Sequence, residues 1–205
     1  MKKKNVLIGC ESSGAVREAF RRRGHNAWSC DLLPADDNSP FHIQGNVLDI
    51  IEGSRQQAAG SRLAWLHPYP WEWDLLICHP PCTYLCVSGI HWNTRGAIVD
   101  GRPRAELTEE AVEFARSLIL CHIPEKCMEN PVGILSTRLG EATQYIQPYE
   151  FGHDASKKTG LWLVNLPPLV IDPAQRFPGR FVEWEGKMVE RWDNQTDSGQ
   201  NKLPP

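Results

Sequence analysis

No stretch of this chain stays apolar for the roughly 20 consecutive residues that a membrane span requires. The short apolar run after Lys2-Lys3-Lys4 already ends at Gly9, so no secretory leader is expected. An excess of charge is also missing: 22 lysines and arginines face 25 aspartates and glutamates, for a net charge of −3. That balance excludes the global basic field that advertises many nucleic-acid binders. Basic residues are local instead, at Lys2-Lys3-Lys4, Arg21-Arg22-Arg23, the Arg95/Arg102/Arg104 set and Lys157-Lys158. There is no internal repeat and no low-complexity tract. The seven cysteines are an odd number, and without a leader they are expected to be reduced thiols in a cytoplasmic compartment.

What is present is ordinary globular material. The 205 residues, 41% hydrophobic and 23% charged, suffice for one full core. Asn5 to Gly9 reads as a strand, Gly14 to Arg23 as a helix ended by Gly24, and Asn26 to Cys30 as a second strand closed by Asp31. Val47 to Ile51 reads as a short helix, and the tryptophan- and proline-rich segment 61–73 as a surface connection. Leu75 to Cys78 is a third strand, and residues 82–104 an irregular loop. Leu107 to Leu120 is an amphipathic helix with Ala111, Phe114, Ala115, Leu118 and Ile119 on one face. Strands follow at Lys126 to Met128, Gln144 to Tyr149 and Leu161 to Val164. Strands alternating with helices imply an α/β domain with a mostly parallel sheet and helices on both faces. The division expected is a domain over 1–168 and a small extension over 169–205. The extension holds a hairpin from Arg180 to Trp192 turning at Glu185-Gly186, and a polar, mobile tail from Asp193.

The run Asp74-Leu75-Leu76-Ile77-Cys78-His79-Pro80-Pro81-Cys82 carries the most information. A buried strand runs into two prolines that cannot continue a ladder, and a thiol follows at once. Open α/β sheets place ligands at the carboxyl ends of such strands, where a nucleophile is useful and a core thiol is not. Two more strand ends are unusual, the Gly9–Gly14 turn and Glu129-Asn130-Pro131, and a parallel sheet brings all three to one edge. Cys10, Cys30, Cys78, Cys121 and Cys127 lie in or beside apolar runs and read as small core residues. Cys78, His79, Cys82 and Cys86 form a weaker zinc pattern, because their three-residue gaps exceed the usual two and Cys78 points into the sheet.

This constellation resembles the cytosine-C5 DNA methyltransferase family, across roughly residues 5–165. Pro81-Cys82 matches its catalytic Pro-Cys, Glu129-Asn130 its Glu-Asn motif, and Gly9 to Gly14 takes the place of its glycine-rich cofactor turn. The resemblance implies a Rossmann-like fold that binds S-adenosyl-L-methionine and methylates carbon 5 of a cytosine flipped out of DNA. Cys82 would add to C6 of the ring, and Glu129, kept near its own proton, would hydrogen-bond N3. Lys158 would hold the first charge of the family's Arg-x-Arg, with Gly160 where the second arginine would stand. Gly9, Cys10, Glu11, Ser12 and Gly14 of the turn, together with Asp31, Asn46 and Pro80, would bind the cofactor. Of these, Asp31 would meet the ribose hydroxyls, and Asn46 stands where the family has an aspartate near the adenine. His79 replaces a small residue and is expected to line the pocket. No resident metal is implied. Ser88, His91, Trp92, Arg95 and the later arginines would reach DNA phosphates and fill the gap in the base stack. The compact form is similar to phage or mobile-element members, which places it in a bacterial or phage-infected host cell. The rivals are a related cytosine modification, an RNA substrate, a catalytically inactive nucleic-acid-binding relative, and a zinc-stabilised binding module.

Overall fold

The computed structural model describes residues 2–58, 70, 72–184 and 186–193. Most of the expected 61–73 connection, Glu185 of the hairpin turn and residues 194–205 of the expected tail lie outside the described residues.

The chain begins with β1 (Asn5–Gly9), α1 (Ala15–Arg22), β2 (Asn26–Asp31), β3 (His42–Gln44) and α2 (Val47–Ala58). Next come β4 (Leu75–Cys78), α3 (Val87–Thr94), the two-residue strands β5 (Ile98–Val99) and β6 (Arg102–Pro103), and α4 (Arg104–Leu120). β7 (Glu125–Pro131), α5 (Leu135–Leu139), β8 (Gln144–Ile146) and β9 (Thr159–Val164) complete the main layer. β10 (Arg180–Trp184) and β11 (Lys187–Arg191) form the expected hairpin as a separate two-stranded sheet. Seven strands make one sheet in the order β3-β2-β1-β4-β7-β9-β8. β9 is antiparallel to both its neighbours, and every other pair is parallel.

The alternation of side chains along each strand divides the core. Leu7, Trp28, Leu76 and Met128 pack on one face against Val112, Ala115 and Leu118 of α4 and Val47 and Ile51 of α2. Val6, Ile8, Ala27 and Leu75 face the other way, against Val16 and Phe20 of α1. Burial on both faces is why β1 and β4 read as unbroken apolar runs. The strand order reverses between β1 and β4, so the carboxyl ends of these two strands flank the topological switch point of the sheet.

The stretch between Cys82 and Arg104 is not irregular as its composition implies. It holds α3 and the β5–β6 pair, whose short lengths leave no periodicity to read. β3 and α5 were illegible for the same reason.

The turn after β1 is built around a buried cation. Arg17 is fully buried; its Nη1 donates to Ser29 Oγ at 2.8 Å, its Nε to Glu18 at 3.2 Å, and its second arm pairs with Asp37. Gly14 sits at φ 71, and a Cβ there would collide with this guanidinium. Glu11, also buried, accepts from the backbone N–H of Val16 at 2.6 Å and of Arg17 at 3.3 Å, capping the positive end of α1. Gly14→Ala is therefore expected to cost about 1–3 kcal/mol through strain and the displaced arginine. A lower urea midpoint at constant slope is the predicted readout, and an unchanged midpoint would contradict it.

Candidate active site

Strand register sets the central contact. β4 and β7 pair with Cys78 opposite Met128, so the next residues along, His79 and Glu129, emerge side by side on one face of the sheet. His79 Nδ1 lies 3.2 Å from Glu129 Oε2, and the His79 backbone N–H donates to the Gly9 carbonyl at 3.0 Å. Asn130 points to the opposite face. It is 1% exposed, and its Nδ2 donates to the Pro80 carbonyl at 2.7 Å. Proline supplies no N–H at this point, so a side chain makes the cross-strand link that the ladder cannot. Asn130 Oδ1 and His79 Nε2 are buried without a hydrogen-bond partner.

Beyond the prolines, Cys82 opens a tight turn, its carbonyl accepting from Leu85 N at 2.9 Å and Cys86 N at 3.1 Å. The turn is fastened to the loop after β7. Cys86 bridges Gly133, Val87 N donates to Val132 O at 3.2 Å, and Ile134 N donates to Leu85 O at 2.8 Å. A Cβ on Gly133 would strike the Leu85 carbonyl. The loops that carry Cys82 and Glu129 are thus held as one unit.

The charges around that unit differ from expectation. Burial raises the half-buried Cys82 thiol above its ordinary value, with Cys86 adding to the shift and Lys157 opposing it. Burial also pushes Glu129 upward, but the His79 hydrogen bond, the Lys157 charge and the Thr159 hydroxyl outweigh it, and the carboxyl falls below its usual range. Glu129 is therefore ionised in the free protein and does not hold its own proton.

Lys158 turns away, its ammonium 4.7 Å from the Tyr145 ring centroid. The cation acting on both Cys82 and Glu129 is Lys157. In an extended chain entering β9, Lys157 and Thr159 share one face while Lys158 and Gly160 share the other, and that alternation was the available signal. Gly160 has no room for a side chain, since a Cβ would lie 3.0 Å from Ala142 Cβ and from the Trp162 ring.

The arginines after Cys82 are mostly committed. Arg104 is buried, donating to the Thr83 carbonyl and to Asn93 Oδ1, both at 2.7 Å; Asn93 in turn donates to Thr108 Oγ1 at 2.9 Å. Arg102 pairs with Glu106 and Glu110. Arg104 is therefore not free to reach a phosphate, and Arg102 is already ion-paired. Arg95 stands 5.2 Å over the ring of Trp92, which is 46% exposed and next to His91. The side chain of Ser88 lies outside the described residues.

A cavity of about 160 Å³ opens at the switch point, lined by Cys10, Cys30, Asp31, Leu32, Gly45, Asn46, Val47, Pro81 and Phe114. Cys10, Asp31 and Asn46 were expected there. Pro81 lines the cavity and Pro80 does not, its carbonyl being spent on Asn130. Asn46 Oδ1 accepts from Leu48 N at 3.0 Å and so also caps α2. Gly9 shapes the wall from behind, because a Cβ there would come within 2.8 Å of Val47. Glu11, Ser12 and Gly14 are absent from the lining and serve the α1 turn, where Ser12 Oγ meets Asp36 at 3.5 Å. Burial, then Asp31, pushes the Cys10 thiol up to about 12, and burial also raises Cys30 to about 12, so these two line the cavity as neutral thiols. Among the described residues, no group of three or more His, Cys, Asp or Glu side chains could hold a metal ion, and no helix is long and apolar enough to cross a membrane.

No protein-family model matches the chain, and no curated protein matches it. One similar solved structure is an E. coli protein provisionally described as a DNA modification methyltransferase encoded within a prophage. It is 16% identical, with a TM-score of 0.46, and the match covers 79% of this chain and 47% of that one. The chain therefore spans about half the length of that protein.

Two outcomes follow from the site's own geometry. Asn130→Ala is expected to cost about 1–3 kcal/mol, by leaving the Pro80 carbonyl unpaired and opening a small void; equilibrium unfolding checks it, and wild-type stability would contradict it. Glu129 has a lowered folded value, so its contribution is full above the ordinary carboxylate value and is lost as pH falls through the lowered one. Glu129→Gln should therefore flatten the stability-versus-pH curve on the acid side, as pH falls below the ordinary carboxylate value. A curve parallel to wild type would refute that assignment.

Proposed function

We propose that this protein is an S-adenosyl-L-methionine-dependent methyltransferase acting on carbon 5 of a cytosine flipped out of DNA. The observation that carries the reading is the fastening of the Cys82 turn to the Glu129-Asn130 strand end, beside the cavity at the switch point. A thiol and a carboxylate in fixed relation suit addition to a pyrimidine ring, with sulfur attacking C6 and the carboxyl addressing N3. Lys157 favours both anionic forms, and it takes the part expected of Lys158. It is also the cation this chain offers in place of a family arginine, since Gly160 leaves no space for one.

The cavity suits the cofactor by its donor set. Asp31 can accept from two ribose hydroxyls, and Leu32, Val47, Pro81 and Phe114 offer apolar walls to a flat ring. Its lining includes one carboxylate and no lysine or arginine. That suits a cationic sulfonium without phosphates better than a nucleotide coenzyme. When bound there, S-adenosyl-L-methionine supplies the methyl group. On the substrate side Cys82 gives up its proton before attack, and its raised pKa means that little thiolate exists at neutral pH until the base arrives. Trp92 and Arg95 offer a stacking surface and a charge for an opened duplex. The hairpin is a candidate recognition element. It is held to the main body where Trp192 stacks on Tyr149 at 3.9 Å, under Arg176.

Incubation with labelled cofactor and cytosine-containing DNA, followed by digestion to nucleosides, should yield 5-methylcytosine. Cys82→Ser should abolish that product while keeping the fold, and Asp31→Ala should weaken cofactor binding by about 10-fold or more, reflecting lost hydrogen bonds. Intact protein that binds the cofactor yet makes no 5-methylcytosine would sink the reading; label appearing in an RNA competitor instead would move the substrate to RNA.

A further inference from the structure

The chain leaving β2 carries Asp31 and Leu32 into the cavity wall, and its two leucines stand in water, Leu32 72% exposed and Leu33 63%. The backbone beneath them is nevertheless held at three points. Gln44 Nε2 donates to the Leu32 carbonyl at 3.1 Å, His42 Nε2 meets the Leu33 carbonyl at 2.9 Å, and the Leu33 N–H donates to Asp31 Oδ1 at 3.0 Å. We propose that His42 and Gln44 are positioning residues for the cofactor, setting Asp31 and Leu32 in place before it arrives. The inference rests on the methyltransferase reading and adds two residues to it.

Strand register brings both residues to the loop. β3 pairs with β2 so that His42 lies opposite Ser29 and Gln44 opposite Asp31. All four share the face toward α1, because Ala27, two residues before Ser29, packs there against Val16 and Phe20. His42 Nδ1 is 2.8 Å from Ser29 Oγ, which accepts from Arg17 Nη1 at 2.8 Å. The other arm of Arg17 pairs with Asp37, farther along the same loop. The loop is thus tied at two places to one buried cation, through His42 at its start and directly at Asp37. After Gln44 the chain runs into Gly45-Asn46-Val47, another part of the cavity lining. One short strand therefore fixes both parts of the lining relative to each other.

The consequence is preorganisation. A loop already ordered in the free protein need not be ordered by its ligand, so that cost does not subtract from affinity. The Leu33 N–H also limits the rotation of the carboxylate that the ribose hydroxyls would meet. Leu32, held out in water, gains burial when a flat ring covers it. His42 and Gln44 are absent from the cavity lining, so their effect on the cofactor passes through the loop.

The test is calorimetric titration of the full chain with S-adenosyl-L-methionine and, separately, with adenosine. Gln44 is exposed and its amide is tied to the loop, so Gln44→Ala should leave the fold intact. Gln44→Ala and His42→Ala should each weaken both ligands by about fivefold, the worth of one hydrogen bond. Equal factors are expected because the loop serves the nucleoside end that the two ligands share. Gln44→Glu, the same shape without the donor, should lose at least as much, and His42→Gln, which keeps a donor, should recover part of the loss. In cofactor-free protein, hydrogen exchange at the Leu33 amide should quicken in both alanine variants. At saturating cofactor, adduct formation on DNA carrying 5-fluorocytosine should keep its wild-type rate. Wild-type affinity in both alanine variants, or an adduct rate that falls at saturating cofactor, would overturn the positioning role. Wild-type protein that fails to bind S-adenosyl-L-methionine would overturn the methyltransferase reading itself, and the proposal with it.

Discussion

The hydrogen bond from Asn130 to the Pro80 carbonyl joins two strand ends at the point where neither can use the sheet ladder. Pro80 and Pro81 have no N–H to give, yet the chain must leave β4 in a fixed direction if Cys82 is to face anything in particular. Asn130 supplies that direction from the buried side, and the Cys86–Gly133 bridge supplies it again a few residues later. With both in place, the thiol, the carboxylate and the histidine stand in fixed relation before any ligand arrives. That is the preorganisation on which positional catalysis depends. The tightness of Gly133 against Leu85 has the same origin: two loops approach more closely than a side chain would permit.

Much of the remaining structure keeps this junction in register. The two packed faces of β1 and β4 hold the strands level, so the pairing of Cys78 with Met128 carries His79 to Glu129. Arg104 fixes the first residues after Cys82 by holding the Thr83 carbonyl, which makes it a scaffold for the loop instead of a contact for DNA. Arg17 does comparable work behind β2, and Gly14 is there to admit it. Two glycines of one turn therefore have different jobs. Gly9 clears space for Val47 at the cavity, while Gly14 clears space for a guanidinium on the far side.

The core of the site was legible in the sequence because its signals are local. A strand that ends in Pro-Pro-Cys, and another that ends in Glu-Asn-Pro, announce themselves without tertiary information. The α4 face was equally clear, since its apolar spacing recurs from Ala111 to Ile119, over more than two turns. What stayed hidden depends on partners distant in the chain. The ionised state of Glu129 arises from His79, 50 residues earlier, and from Lys157, 28 residues later. The choice between Lys157 and Lys158 depends on how the chain enters β9, which one dipeptide cannot reveal. Arg104 looks like a phosphate ligand until its burial is known. Nor can the sequence show that the Glu11 carboxylate takes the first N–H groups of α1.

The central claim is that Cys82 attacks a pyrimidine ring, and covalent capture tests it most directly. DNA carrying 5-fluorocytosine cannot lose the C5 substituent that releases the enzyme, so an attacking thiol becomes trapped on the base. Intact-mass measurement and peptide mapping after incubation with cofactor should show one protein–DNA adduct, located at Cys82 and absent from Cys82→Ser. No adduct with folded wild-type protein, or an adduct that persists in Cys82→Ser, would contradict the account.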